Sequence, residues 1–239
     1  YLITLSGNTL STITDPDFPG GVKNAFLDGF TLFNQPGTGK FWATSAYGAG
    51  LIDPLDFATA EGAPDPLVSL IVDHREIWLL GTESIEVWYN AGNPDFPFER
   101  ISGAFLEHGC AAAHSVEKID NTVFWLGRDD KGQGMVWRAE GYSPRRVSTH
   151  EIETKISNYS RIDDAVSWTY QQDGHSFYVL SFPSEDVTWC FDVSTGKWHE
   201  RAAFADGEFH RHRVQCHAMF SGQHIGGDWE NGRLYVLDM

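Results

Sequence analysis

Apolar positions along the chain fall in short runs broken by Gly, Asn, Asp and Pro, and the runs are rich in aromatic and β-branched side chains. Such runs suit the pleated, half-buried surface of a β-strand. Glu76-Ile-Trp-Leu-Leu-Gly81, Thr122-Val-Phe-Trp-Leu-Gly127 and Ser176-Phe-Tyr-Val-Leu-Ser181 each follow a polar turn and precede a second apolar run. Each therefore predicts a hairpin. The 3.6-residue period of an amphipathic helix is nearly absent. Its best candidate, His150 to Ser157, is short, lacks a wide apolar stripe and predicts a loop or a single turn.

The hairpins repeat. Aligned on their second strands, they place Trp42, Trp88, Trp137, Trp189 and Tyr235 at one position, with steps of 46, 49, 52 and 46 residues. Their first strands keep similar time, from Phe30-Thr-Leu-Phe33 through Ile77, Val123 and Phe177 to Gln223-His-Ile-Gly226. A further strand-like segment lies upstream of four of them: Leu67 to Val72, Ala113 to Ile119, Ala165 to Tyr170 and Val214 to Met219. Each unit thus holds about four strands in roughly 46 to 53 residues, the period of a β-propeller blade. One four-stranded blade exposes two apolar faces, and radial stacking buries both while leaving short edges. A recurring large ring fills the gap between twisted sheets. A β-sandwich or β-solenoid gives no reason for that recurrence.

The prediction is an all-β, single-domain propeller over residues 1–239 with about five, possibly six, four-stranded blades. The approximate units are 1–14, 20–60, 66–103, 111–150, 163–204 and 213–239. The first is a hairpin with nothing upstream to be its blade, and the last lacks an outer strand. The simplest expectation is that the N-terminal hairpin closes the ring by completing the C-terminal blade. The alternative is a piece of a longer chain.

Charge narrows the function. With 17 basic and 33 acidic residues the net charge is −16, which repels phosphate backbones and anionic membranes over about a Debye length. No apolar run approaches the roughly 18 residues that span a bilayer, so a soluble protein without a membrane partner is expected. Cys110, Cys190 and Cys216 lie far apart and write neither a zinc ribbon nor a disulfide scaffold.

Asp73 to Gly92, followed by Phe96-Pro-Phe-Glu-Arg-Ile101 and Gly109-Cys-Ala-Ala-Ala-His-Ser115, resembles the packaged-DNA stabilization family of short-tailed bacteriophages. Asp120 to Arg128 and Gly141 to Thr149 extend the likeness, which is specific over about Leu67 to Ile156 and looser but continuous elsewhere. The resemblance implies a tail accessory factor: a propeller made in the host cytoplasm that assembles below the portal as tail hub or nozzle and helps retain packaged genome. It further implies a homo-oligomer, a hexamer about the tail axis. Its partners would be the portal adaptor above, the tail needle below, and double-stranded DNA passing through the lumen without sequence-specific binding. Family members are longer than this chain, which implies a fragment. An acidic wall would let a polyanion slide without sticking, although −16 also serves solubility alone. The loops Asn90 to Pro97 and Tyr142 to Arg146 carry Pro, aromatic and Arg residues suited to interfaces. They nominate Asn93, Phe96, Phe98, Tyr142, Arg145 and Arg146 as assembly residues. Replacing Phe96 and Phe98 by Ser is then expected to disrupt assembly and leave the monomer folded.

Catalytic and metal signals are weak, and no catalytic residue, metal or cofactor is expected. The chain has no Gly-x-Ser-x-Gly elbow and no His-Glu-x-x-His helix. His210, His212, Cys216 and His217 could ligate zinc or nickel if His210 and His212 shared a strand face, but Arg211 and Arg213 would repel a cation. Arg128 to Gly134 has the look of a calcium loop without the alternating acids of an EF-hand, and reads as a hairpin turn. Glu83 with Glu86, and Asp163 with Asp164, are the carboxylate pairs a propeller glycoside hydrolase would need across a cleft. Phe191-Asp-Val-Ser-Thr-Gly-Lys-Trp198 suggests a kelch-type binding module, but this pattern is clear in only one repeat.

Overall fold

The computed structural model describes residues 2–4, 7, 9–48, 52–128 and 133–237. The chain packs as two compact units, Tyr1–Gly109 and Cys110–Met239. Its architecture is that of a β-propeller, built from antiparallel sheets whose strands follow one another in chain order.

The first unit opens with a two-stranded sheet, β1 (Leu2–Thr4) and β2 (Thr9–Ser11), and continues with two four-stranded blades. One blade is β3 (Asn24–Leu27), β4 (Phe30–Asn34), β5 (Lys40–Ala43) and β6 (Phe57–Thr59). The other is β7 (Leu67–Asp73), β8 (Glu76–Gly81), β9 (Ile85–Asn90) and β10 (Phe98–Leu106). Between them lies an apolar layer in which Leu27, Leu32 and Phe41 meet Leu67, Leu70, Ile77, Leu79 and Phe98. Each such side chain, fully buried, contributes about 1.5–3 kcal/mol.

The second unit holds a blade of β11 (Glu117–Ile119), β12 (Thr122–Arg128), β13 (Gly134–Glu140) and β14 (Ser143–Arg146). Next comes α1 (His150–Ile156), then the blade β15 (Val166–Gln172), β16 (His175–Phe182), β17 (Val187–Asp192) and β18 (Lys197–Glu200). A separate hairpin follows, β19 (Ala202–Ala205) with β20 (Glu208–Arg211). The last sheet has three strands, β21 (Val214–Phe220), β22 (Gln223–Asp228) and β23 (Leu234–Leu237). Phe124, Leu126 and Val136 pack on Tyr178, Leu180, Phe182 and Trp189 in one layer. Trp168, Tyr170, Phe177 and Val179 pack on Val214, Tyr235 and Leu237 in the next.

The five periodic rings all lie on the third strand of their sheets. They also share a face. Trp88 points into the layer against β3–β6, Trp189 into the layer against β11–β14, and Tyr235 into the layer against β15–β18. Trp42 and Trp137 lie on the faces opposite Phe41 and Val136, which pack against the following blade. Within each unit, Trp88, Trp189 and Tyr235 thus reach back to the preceding blade.

At His150 to Ser157 the structure corrects the expectation of a loop or single turn. α1 runs for seven residues, with Thr149 as N-cap accepting a hydrogen bond from the Ile152 N–H. Ile152 and Ile156, four apart, are buried in the apolar layer, so two side chains suffice where a wide stripe was sought. The turn expected within Arg128 to Gly134 falls largely outside the described residues.

Candidate assembly surface

Hairpin β19–β20 belongs to no blade. Asp206 and Gly207 both take positive φ (53° and 88°), the tight two-residue turn that matches strand twist. Phe204 and Phe209 face each other directly across the pair, with ring centroids 5.1 Å apart, yet are 67% and 76% exposed. The base is fastened firmly. Asp186, itself in the left-handed region, accepts from the Arg211 N–H at 3.1 Å and pairs with His210 Nδ1 at 2.7 Å. The Arg211 guanidinium lies 3.8 Å from the Trp229 ring centroid. Burial lowers the Arg211 pKa, partly offset by Asp186 and Asp164.

The last sheet adds a second apolar area. Its inner face, carrying Val214, His217, His224 and Tyr235, packs on β15–β18. Its other face presents Cys216, Ala218, Phe220, Ile225, Leu234 and Val236 around a shallow cleft of about 460 Å³. Phe220 and Leu234 there are 72% and 74% exposed. The layers on either side of β15–β18, by contrast, are closed by the flanking sheets and by α1. Exposed apolar patches of this kind mark contact surfaces.

The residues nominated from sequence divide in two. Phe98 is 3% exposed within the layer between the first two blades, and Phe96 packs beside it with its ring 5.5 Å from Phe41 and 5.7 Å from Phe98. Both rings are committed to the fold, so the Ser double variant would strike the core. Asn93, Tyr142, Arg145 and Arg146 are exposed. Asn93 donates to Glu99 at 2.7 Å, and Arg145 and Arg138 both hold Glu140, at 2.5 and 2.9 Å. Arg145 first and Arg138 second keep the Glu140 carboxyl below its usual range. Arg146 forks onto Glu153 of α1 and also tethers the helix to β14.

The other candidate groups are spread out. β20 ends at Arg211, so His210 pairs with Asp186 while His212 lies tilted against Trp168 with ring centroids 6.1 Å apart. Cys216 points to the exposed face and His217 to the inner one. Among the described residues no three His, Cys, Asp or Glu side chains converge as metal ligands. Glu86 is buried beside a cleft of about 440 Å³, with its oxygens engaged by the Gly62 N–H, Trp88 Nε1 (2.9 Å) and Arg100 (3.5 Å). Glu83 is exposed. Asp163 is held by Arg161 at 2.5 Å, which lowers its pKa, and Asp164 accepts from the Ser184 N–H and hydroxyl. Trp198 does pack between blades, on Phe191, with Nε1 donating to the Val147 carbonyl at 2.9 Å.

Comparison with known proteins decides the family. The family model described as bacteriophage P22 Gp10, beta-propeller, matches residues 1–239. The chain belongs to this family. It is therefore a bacteriophage structural protein, as its resemblance implies. A search of curated proteins finds no match. Among solved structures, the extracellular domain of a putative hybrid two component system from B. thetaiotaomicron is 12% identical, with a TM-score of 0.51 over 92% of this chain and 26% of that one. Dihydro-heme d1 dehydrogenase NirN is 10% identical, with a TM-score of 0.51 over 91% of this chain and 46% of that one. A computationally designed protein, Ika8, is 13% identical, with a TM-score of 0.46, 92% of this chain and 58% of that one. The chain thus spans less than two thirds of each of these structures. At such identity the likeness concerns fold alone. Among the described residues no helix is long and apolar enough to cross a membrane.

Proposed function

We propose that this chain is a non-enzymatic building block of the tail, assembling with copies of itself and with the portal adaptor and tail needle around the DNA exit path. The observation that carries this reading is the family match over residues 1–239, in a fold whose second unit leaves two apolar surfaces exposed. The chemistry points the same way. Of the carboxylates that could serve a hydrolase, Glu86, Asp163 and Asp164 are engaged by arginines, backbone N–H groups and indole, which suits a scaffold. The hexamer, the tail position and the retention of DNA come from the family resemblance.

The scarcity of positive charge suits passage of DNA over binding of it. The strands that open the blades, β3 and β7 in the first unit and β11, β15 and β21 in the second, carry Asp73, Glu117 and Lys118 as their only Asp, Glu, Lys or Arg side chains. Strands with so little positive charge offer phosphates no track.

Electron microscopy of the purified chain mixed with a portal–adaptor complex tests the reading. Density for this chain below the adaptor is expected, with light scattering showing a multiple of 26.8 kDa. A monomer that ignores the portal and binds a glycan or peptide would make it a binding module instead.

A further inference from the structure

The seam between blade β15–β18 and the last sheet is lined by four imidazoles, His199, His212, His217 and His224, set among Trp168, Tyr170 and Phe177. His199 and His212 each make a contact that requires an unprotonated ring nitrogen, and the His217–His224 pair requires one between its two rings. His199 Nε2 accepts from Arg201 Nε at 3.3 Å, and His212 Nδ1 accepts from the Val214 N–H at 3.2 Å. His217 Nε2 meets His224 Nδ1 at 2.9 Å, with the rings stacked 5.1 Å apart. Only one proton fits between those two nitrogens, so a doubly protonated pair would set N–H against N–H.

Among the groups facing this cluster, the carboxylate of Asp192 favours a charged His199 but is outweighed by burial and Arg201. From β15 and β16 come Tyr170 and Phe177, over both of which Arg201 places its guanidinium, at 5.3 and 4.9 Å. From β17 comes Cys190, whose thiol burial pushes up to about 12. Asp192 is already held by His175, Thr195 and the Ser194 N–H. On the last sheet, Asp228 is held by the Tyr235 hydroxyl at 2.7 Å and by the Glu230 N–H. Met219 lies on the same face as His217 and His224 and brings no charge.

We propose that this seam is an acid-labile joint: protonation of its imidazoles releases β21–β23 from blade β15–β18 while the rest of the second unit stays folded. The titration agrees with the geometry. Burial first, then Arg201, lowers the pKa values of His199 and His212, and burial first, then His224, lowers that of His217. A histidine lowered below its unfolded value of 6.5 contributes fully above that pH. Its contribution is lost as pH falls from there through the folded pKa, because the unfolded or released form then binds more protons. The joint therefore weakens below about pH 6.5.

Hydrogen exchange of the full chain between pH 7.5 and 5.0, with rates corrected for intrinsic exchange, is the test. Protection of Val214–Phe220 and Leu234–Leu237 is expected to fall at least tenfold, with that of β12, β13 and α1 unchanged. His217→Gln with His224→Gln, which keeps a hydrogen bond across the pair and removes its titration, is expected to cut that fall by half or more. Should the double variant fail to fold, His224→Gln alone is expected to reduce the fall. Unchanged protection at pH 5.0, an equal loss in every sheet, or an undiminished fall in the folded variants would overturn the proposal.

Discussion

A phenylalanine's place decides its role more than its type does. Phe98 and Phe204 both sit on strands, yet one is packed between blades and the other stands in solvent. Phe98→Ser is expected to cost about 3–5 kcal/mol in chemical denaturation, through lost burial and the cavity left behind. Phe204→Ser with Phe209→Ser is expected to change stability by less than about 1 kcal/mol, since exposed positions move it little. The same pair of substitutions should abolish or weaken the assembly seen by light scattering. The cysteines divide likewise. Cys110 and Cys190 are buried, and Cys216 is exposed. A thiol reagent at pH 8 should label one site per native chain and three after denaturation, because reaction needs an accessible thiolate.

At the scale of elements, a second repeat runs beside the rings. In each of the five blade-like sheets, the first two strands are joined by two residues with positive φ: Asp28-Gly29, His74-Arg75, Asp120-Asn121, Asp173-Gly174 and Ser221-Gly222. The shape recurs although the residues do not, so reading for identical residues misses it. Gly, Asn and Asp tolerate this conformation, whereas Arg75 holds it at a cost. Replacing His74-Arg75 by Asn-Gly should raise stability by about 0.5–1 kcal/mol, measured as a shift in Tm, despite losing the exposed Arg75–Asp28 ion pair. α1 makes the opposite case. Thr149→Ala should cost about 1 kcal/mol by removing the N-cap acceptor. The blades were legible because each sets one ring on its third strand, buried at Trp42 and Trp189 and half-buried at Trp88, Trp137 and Tyr235, and packing between sheets favours a large side chain at a fixed step. The β19–β20 hairpin was not, because alternation along Ala202–Arg211 looks the same whether or not another sheet covers it. For the same reason Phe96 and Phe98 read as surface anchors when they are core.

For the whole molecule, the question is how copies carrying −16 each can associate. Like charge opposes contact over about a Debye length, roughly 10 Å at 0.1 M salt, while apolar contact through Phe204, Phe209, Phe220 and Leu234 acts only at touching distance. Salt screens the first and leaves the second, so self-association should strengthen as NaCl rises from 50 to 500 mM, read as an increasing mass-average by light scattering. An interface built on charge pairs, such as Arg145 or Arg146 reaching a carboxylate of another copy, has the opposite slope, because screening weakens it. In this chain those arginines are already held by Glu140 and Glu153. Dissociation on adding salt would therefore move the interface from the apolar surfaces of the second unit to the arginines of β14. The Phe204→Ser, Phe209→Ser variant would then assemble as the parent does.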